Sequence, residues 1–374
     1  AEVVIIGGGP AGAAAAWALA RAGRDVALFE KDLFPRFHIG ESLLPENVGL
    51  FDRMGLAPRL RGAGFMRKYG AHLVNADGTA RRDFDFFPGS DDPDACTFEV
   101  ERADFDVLLL DHARQAGARV FPGACVAAAD PSPGDAAVTA VREGREERWR
   151  ARWILDASGM NSALAARHRL RVEFPEHRRI ALYAHWEGAR RRAGREAGNI
   201  ELIVGPGAWF WYIPLRGGVT SVGCVVPTAR FKSSGEAPEA FLERSIREAP
   251  YLAGLLAGAR RVRDVAAVRD YSYTSRRFAA PGFTLVGDAA AFLDPLFSAG
   301  VMLGMQSGVE AAEALLPALR AGRAPRVSDF AAYERTFRRR FATGCSRDVR
   351  DPLASAALAA ESKKPSVPLK LLVA

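Results

Sequence analysis

Glu2-Val3-Val4-Ile5-Ile6-Gly7-Gly8-Gly9-Pro10-Ala11-Gly12 opens the chain after a single alanine. A β-branched apolar run feeds straight into G-x-G-x-x-G, with Gly7, Gly9 and Gly12 at the fixed positions. Ala13 to Gly23 then reads as an alanine-rich helix, and Asp25 to Phe29 as a second apolar strand that ends on Glu30. Strand, glycine loop, helix, strand and terminal acid predict a dinucleotide-binding βαβ unit. Glycine lets the backbone turn sharply and come close to a pyrophosphate, and the helix N-terminus offers that group free N–H donors. Glu30 lies 18 residues past Gly12, near the spacing of a carboxylate that grips a ribose.

Composition limits what else the chain can be. It has 374 residues, with 49% hydrophobic and 25% charged, which is the balance of a globular protein with a real core. Cys96, Cys125, Cys224 and Cys345 form no C-x-x-C pair, so neither a zinc framework nor a secreted disulfide scaffold is expected. No metal site is predicted. Cysteines so spaced make a reducing cytoplasm the expectation, and because the first residues already form a strand, no signal peptide is expected. No apolar run reaches the length of a membrane span. The net charge of +7 would suit an acidic partner. No basic repeat with interleaved aromatics points to nucleic acid.

Further along, Pro45 to Met54 predicts a helix, Ala71 to Asn75 and Arg81 to Phe87 predict strands, and Glu101 to Ala116 predicts a helix stopped by Gly117. Short strands are expected at 118–121 and 124–129, a hairpin around Glu143-Gly144, and a strand ending in Asp156-Ala157-Ser158-Gly159. Four strand candidates in a row, at 180–187, 199–204, 208–214 and 219–226, predict an antiparallel sheet in a separate layer. A helix at 237–249 and a strand at 261–273 follow. Phe283 to Val286 leads into Gly287-Asp288-Ala289-Ala290. Helices are expected at 300–319, 327–345 and 353–361, before a tail over 363–374.

Three of these pieces sharpen the cofactor. Arg102 begins a helix set to pack beside the first βαβ unit, while Asp156 to Gly159 and Gly287-Asp288 each close a strand. In this order they resemble the glutathione-reductase-type FAD fold in its hydroxylase branch. The resemblance implies that Arg102 meets the pyrophosphate and Asp288 the flavin-side ribose, with Asp156 and Gly159 in a second conserved loop. The fold class is therefore α/β. A Rossmann-like FAD-binding domain (1–66, 101–170 and 276–325) would be interleaved with an antiparallel-sheet substrate domain (67–100 and 171–275), before a C-terminal helical segment (326–374). No second complete glycine fingerprint marks a nicotinamide site.

Trp209-Phe210-Trp211-Tyr212-Ile213-Pro214 reads W-x-W-x-I-P, and Phe292 to Gly300 reads F-x-x-P-x-x-S-x-G. Both resemble the flavin-dependent halogenases. The segment Pro35 to Pro45 and Lys68, in F-x-x-K-x-G, resemble the branch that acts on phenols and pyrroles. That family uses FADH2, O2 and chloride or bromide, passing through a flavin hydroperoxide to hypohalous acid. The resemblance makes Lys68, Trp209, Trp211 and Ser298 the catalytic candidates. Lys68 would hold the hypohalous acid or become a haloamine, with burial and the neighbouring Arg67 lowering its pKa. The two indoles would keep substrate off the flavin. Ala299 and Gly300, at a helix N-terminus, would hold halide. Lys31, Ile39, Gly40, Ser42, Val126, Pro295, Gly300 and Val301 complete the implied FAD contacts. Asp294 fits either a helix cap or a flavin contact. Halogenases of free tryptophan carry glutamate immediately before the motif serine, where this chain has Phe297. That favours a phenol or pyrrole, often presented on an acyl or peptidyl carrier protein. Arg190-Arg191-Arg192 and Arg338-Arg339-Arg340 are candidate docking patches for such a carrier. A separate flavin reductase would supply FADH2. A monooxygenase or prenyl-lipid reductase of the same fold would share the FAD motifs without needing Lys68 or the tryptophans; a non-catalytic flavin-binding docking protein is the third reading.

Overall fold

The computed structural model describes residues 1–344 apart from Asp270, Tyr271, residues 293–295 and Phe297. Asp294, Pro295, Phe297, Cys345, the third expected C-terminal helix and the tail lie outside the described residues.

Val3–Ile6 sits near the middle of a six-stranded sheet. From edge to edge the strands are Ala279–Ala280, Phe283–Leu285, Trp153–Asp156, Val3–Ile6, Val26–Glu30 and Arg119–Pro122. All neighbours run parallel except the first pair. Val3, Val4 and Ile5 are wholly buried, as a parallel strand covered on both faces requires. The Trp153 indole N–H donates to Thr284 Oγ1 at 3.0 Å, so a buried polar group finds its partner inside the sheet.

Helix Pro10–Arg21 packs between Arg102–Gln115 and the long helix Gly300–Arg320. The contact with the long helix is close because Gly308 has no side chain. A Cβ there would lie 2.1 Å from the Ala11 carbonyl oxygen. The predicted hairpin spans Ala136–Arg142 and Arg145–Ala151, joined by Cys125–Asp130 into a three-stranded sheet.

The second layer is an eight-stranded sheet. Its order is Arg260–Arg261, Arg179–Glu187, Val219–Pro227, Ala208–Pro214, Ile200–Gly205, Gly70–Asn75 and Arg81–Asp85, with Ala266–Arg269 also paired to Arg179–Glu187. The four consecutive strands pair antiparallel, but Ile200–Gly205 joins Gly70–Asn75 in parallel. One face carries Phe210, Tyr212, Cys224 and Val226 against helices Pro238–Arg247 and Pro250–Leu255. The other carries Trp209, Trp211 and Ile213.

Two expectations change. The single strand at 261–273 is three pieces, Arg260–Arg261, Ala266–Arg269 and Tyr273–Ser275. The first two pair with Arg179–Glu187, while the third pairs with Arg171–Glu173 in a separate two-stranded sheet. Short helices at Ala57–Gly62, Ala163–Arg167, Thr228–Ser234 and Pro250–Leu255 have too few turns to show a periodicity. The expected helix from Val327 opens as a 3-10 turn, Val327–Phe330, before Ala331–Gly344. No described helix is long and apolar enough to cross a membrane.

Candidate active site

The glycine loop forms a cradle from backbone alone. Gly7 has φ +104°, where an L side chain is strained, and a Cβ on Gly12 would lie 1.9 Å from the Gly7 carbonyl oxygen. Helix Pro10–Arg21 begins at Gly9 without a side-chain cap, so its first N–H groups are free for a ligand. Ala11, the second residue of that helix, is buried under the loop. At the strand end, Glu30 Oε2 accepts from Gly8 N at 2.7 Å and Oε1 from Asp32 N at 2.9 Å. Lys31 beside it is exposed.

Arg102 reaches the same end of the sheet. Its Nε and one terminal nitrogen bind both oxygens of the buried Asp106 at 2.7 and 3.0 Å, and the other terminal nitrogen donates to Ile39 O at 2.9 Å. This ties the loop containing Ile39 and Gly40 to the helix. Arg36 sits 3.4 Å from Asp106 and 3.9 Å from the position a Gly9 Cβ would take. The sequence reading missed it, because a single arginine in an irregular loop carries no pattern.

The two strand-end aspartates differ. Asp156 is buried and its oxygens accept from Ser158 N at 3.0 Å, Ser158 Oγ at 2.5 Å and Ser162 Oγ at 2.6 Å. Its carboxylate braces its own loop, which turns at Gly159, and burial pushes its pKa up against those bonds. Among the described residues no side-chain hydrogen bond braces Asp288 in this way. Desolvation pushes it up to about 7, with Arg102 pulling it down. Gly287 N is held by Ser307 Oγ at 2.7 Å, fixing the loop to the long helix. An uncapped helix end, a turn closed to side chains, a strand-end carboxylate and Arg102 together fit a dinucleotide such as FAD. Val126 sits in strand Cys125–Asp130 at a bulge, partly buried against the same core.

The tryptophan strand presents its alternate residues to loops on the cofactor side. Trp209 and Trp211 are 1% and 5% exposed, with ring centroids 6.0 Å apart. Around them pack Phe37 and Ile39 from the first loop, Met160 from the Asp156 loop, and Phe292 and Leu296. The indoles thus meet segments from three cofactor-side loops. The Trp211 N–H donates to Ser221 Oγ at 3.1 Å, and its ring lies over Gly223, where a Cβ would be 2.1 Å from the ring.

Lys68 ends strand Met66–Lys68, antiparallel to Thr97–Glu99. It is 1% exposed. Its Nζ donates to Ser42 Oγ at 2.6 Å and Leu43 O at 3.0 Å, and stands 3.5 Å from Glu99 Oε1. The Phe86 ring covers it, 5.2 Å from Nζ. Phe86 also packs on the tryptophan face, linking the lysine to that cluster. Burial lowers the Lys68 pKa, while Glu99 and then Glu46 raise it. The expected contribution of Arg67 is absent. Arg67 is on the other face of the strand, with its guanidinium on Pro93 O at 2.7 Å and Asp94 at 3.0 Å. Ser42, expected among the cofactor contacts, turns its hydroxyl to Lys68. Glu99 was missed altogether. It is wholly buried, and desolvation pushes it up to about 8 against the pull of Lys68.

Ser298 has φ +56°, unusual outside glycine, and leads into helix Gly300–Arg320 through Ala299, again without a side-chain cap. Gly300 is exposed and Val301 is buried beneath it. The arginine runs proposed for docking are largely spent inside the protein. Arg191 binds Val219 O, and Arg192 binds Glu201 at 3.1 Å. Arg338 binds Glu334 and the carbonyls of Ser275 and Arg276, and Arg340 binds Glu310.

A family model described as an FAD binding domain matches residues 1–344. The 1H-pyrrole-2-carbonyl-(peptidyl-carrier protein) chlorinase of Pseudomonas fluorescens is 34% identical over 331 residues, covering 82% of this chain and 73% of that protein. The tryptophan 2-halogenase of Chondromyces crocatus is 35% identical over 347 residues, covering 91% of this chain and 65% of that protein, so the chain spans just under two thirds of that relative. The solved structure of the myxobacterial chondrochloren halogenase CndH superposes with a TM-score of 0.85 at 33% identity, covering 99% of this chain and 85% of that one.

Proposed function

Since the chain belongs to the flavin-dependent halogenases, we propose that it chlorinates or brominates an electron-rich ring, a phenol or tyrosyl group or a pyrrole, tethered to a carrier protein. The buried Lys68, held by two acceptors and paired with the Glu99 carboxyl beside the tryptophan face, carries this reading. When bound, reduced FAD with O2 supplies the oxidising power that converts halide to hypohalous acid. The chain's own residues do the rest. The uncapped turn at Ser298, Ala299 and Gly300 holds halide by its N–H groups. Trp209 and Trp211 fill the space against the cofactor-side loops, so that no organic ring can lie there. Lys68 receives the hypohalous acid and directs it to the substrate. A carrier-tethered substrate is supported by the pyrrolyl-carrier chlorinase among the relatives. A separate flavin reductase is supported by the lack of a second glycine fingerprint in the sequence.

The test is mass spectrometry of free and carrier-tethered tyrosyl and pyrrolyl compounds after incubation with FADH2, O2 and chloride or bromide. Halogenated product is expected, and hydroxylation alone overturns the reading. With Lys68→Ala, ring halogenation should fall by about 100-fold or more while flavin oxidation continues. Full halogenation by that variant removes Lys68 from the mechanism.

A further inference from the structure

A carboxylate buried beside a buried amine, with neither in reach of water, is a costly arrangement unless the two share a proton. Glu99 and Lys68 are 0% and 1% exposed and stand 3.5 Å apart across a strand pair. The two shorter bonds of Nζ, to Ser42 and Leu43, fix the amine and leave its third position facing Glu99. Resting on the halogenase reading, we propose that Glu99 is the acid–base partner of Lys68. It takes the proton of the ammonium and returns it to the hydroxide that leaves the hypohalous acid.

The steps balance. A proton passes from the Lys68 ammonium to the Glu99 carboxylate, leaving a neutral amine and a neutral acid. The amine attacks the halogen of the hypohalous acid. The N–halogen bond forms, the halogen–oxygen bond breaks, and the departing hydroxide takes the Glu99 proton to become water. The resulting haloammonium faces the Glu99 carboxylate, which offsets its charge. The halogen then passes to a ring carbon. The N–halogen bond breaks, and the proton displaced from the ring returns to the pair.

The surroundings suit this. Glu99 is faced by Lys68, Ser42 and Glu41, and Lys68 by Glu99 and Glu46. Burial raises the acid to about 8 and lowers the amine, which brings the two groups' affinities for their one shared proton together. The pair therefore exchanges its proton at little cost. Above about pH 8 the acid is lost, and ring halogenation should decline on that limb.

The chain has six lysines, so a protein labelled with ε-13C lysine gives a sparse NMR spectrum in which Lys68 is assigned by its loss in Lys68→Met. In Glu99→Gln the Lys68 midpoint should drop by about one pH unit or more, because the carboxylate that holds the proton on the amine is gone. Ring halogenation should fall by about 100-fold and lose the alkaline limb of its pH profile. Glu99→Asp should restore part of both, and it serves as the test variant if the glutamine form does not fold. An unchanged Lys68 midpoint, or an unchanged rate and pH profile, overturns the proposal. If the wild-type protein halogenates no ring at all, the functional reading fails. The midpoint comparison, made on resting protein, still decides whether Glu99 governs the lysine.

Discussion

The glycine cradle and the lysine pocket are built from different material. The cradle is backbone: the Gly7–Gly12 turn, an uncapped helix end and a strand terminus, nearly all within the first thirty residues. The pocket is side chains: Ser42, Lys68, Phe86 and Glu99, each from a different segment. A site made of backbone needs particular residues at fixed spacing, because only certain residues let the chain take that path. A site made of side chains needs only that the right groups arrive together, and their order in the sequence is free.

The contrast can be broken or sharpened by substitution. The largest effect should come from Gly12→Val. Its Cβ would lie 1.9 Å from the Gly7 carbonyl oxygen, so the turn must open. Loss of about 3 kcal/mol or more is expected in a denaturant melt, with loss of the yellow colour of retained FAD. If the variant holds flavin normally, the cradle is not set by backbone contact. Trp211→Ala comes next at about 3 kcal/mol, because it empties the space over Gly223 and leaves Ser221 without its donor. In contrast to Gly12→Val, it should keep FAD. A variant that lost flavin as well would show that the two regions are one cooperative unit.

The smallest effect should come from Asp288→Asn. Asp288 is raised from 3.8 to about 7 by burial, so the folded chain holds its proton more tightly than the unfolded chain does. Its contribution to stability is then fully present below about pH 4 and is lost as pH rises towards 7. Linkage for a rise from 3.8 to about 7 has a ceiling of about 4 kcal/mol, which the partial exposure of Asp288 screens to about 1 kcal/mol; in flavin-free protein, asparagine should remove that decline. Melts of the two proteins at pH 4.5 and 7.5 check the slope. An opposite slope would mean that a nearby cation, not desolvation, governs this carboxylate.

These differences explain what could be read from the sequence. Gly7, Gly9, Gly12 and Glu30 were legible because their spacing follows from chain geometry. The strands at 208–214 and 219–226 were legible because alternation shows directly which side chains share a face, which placed Trp209 with Trp211. Lys68 was found through a motif, but its surroundings were not. Arg67 is adjacent in sequence, yet strand alternation turns it to the opposite side. Glu99 is thirty-one positions away and arrives by pairing of Thr97–Glu99 with Met66–Lys68. Three-residue strands leave no period to detect. The arginine runs at 190–192 and 338–340 looked like surface charge because their carboxylate and carbonyl partners are remote in sequence.

The missing side chain of Gly308 has a mechanical consequence. It brings helix Gly300–Arg320 into backbone contact with Ala11, one residue inside helix Pro10–Arg21. Gly304 and Gly287 touch the same alanine. The two uncapped helix ends are therefore tied through one alanine, and the gap between them is set by backbone contact, like the jaws of a caliper. An extended molecule lying between those jaws meets a spacing set by backbone contact at one alanine.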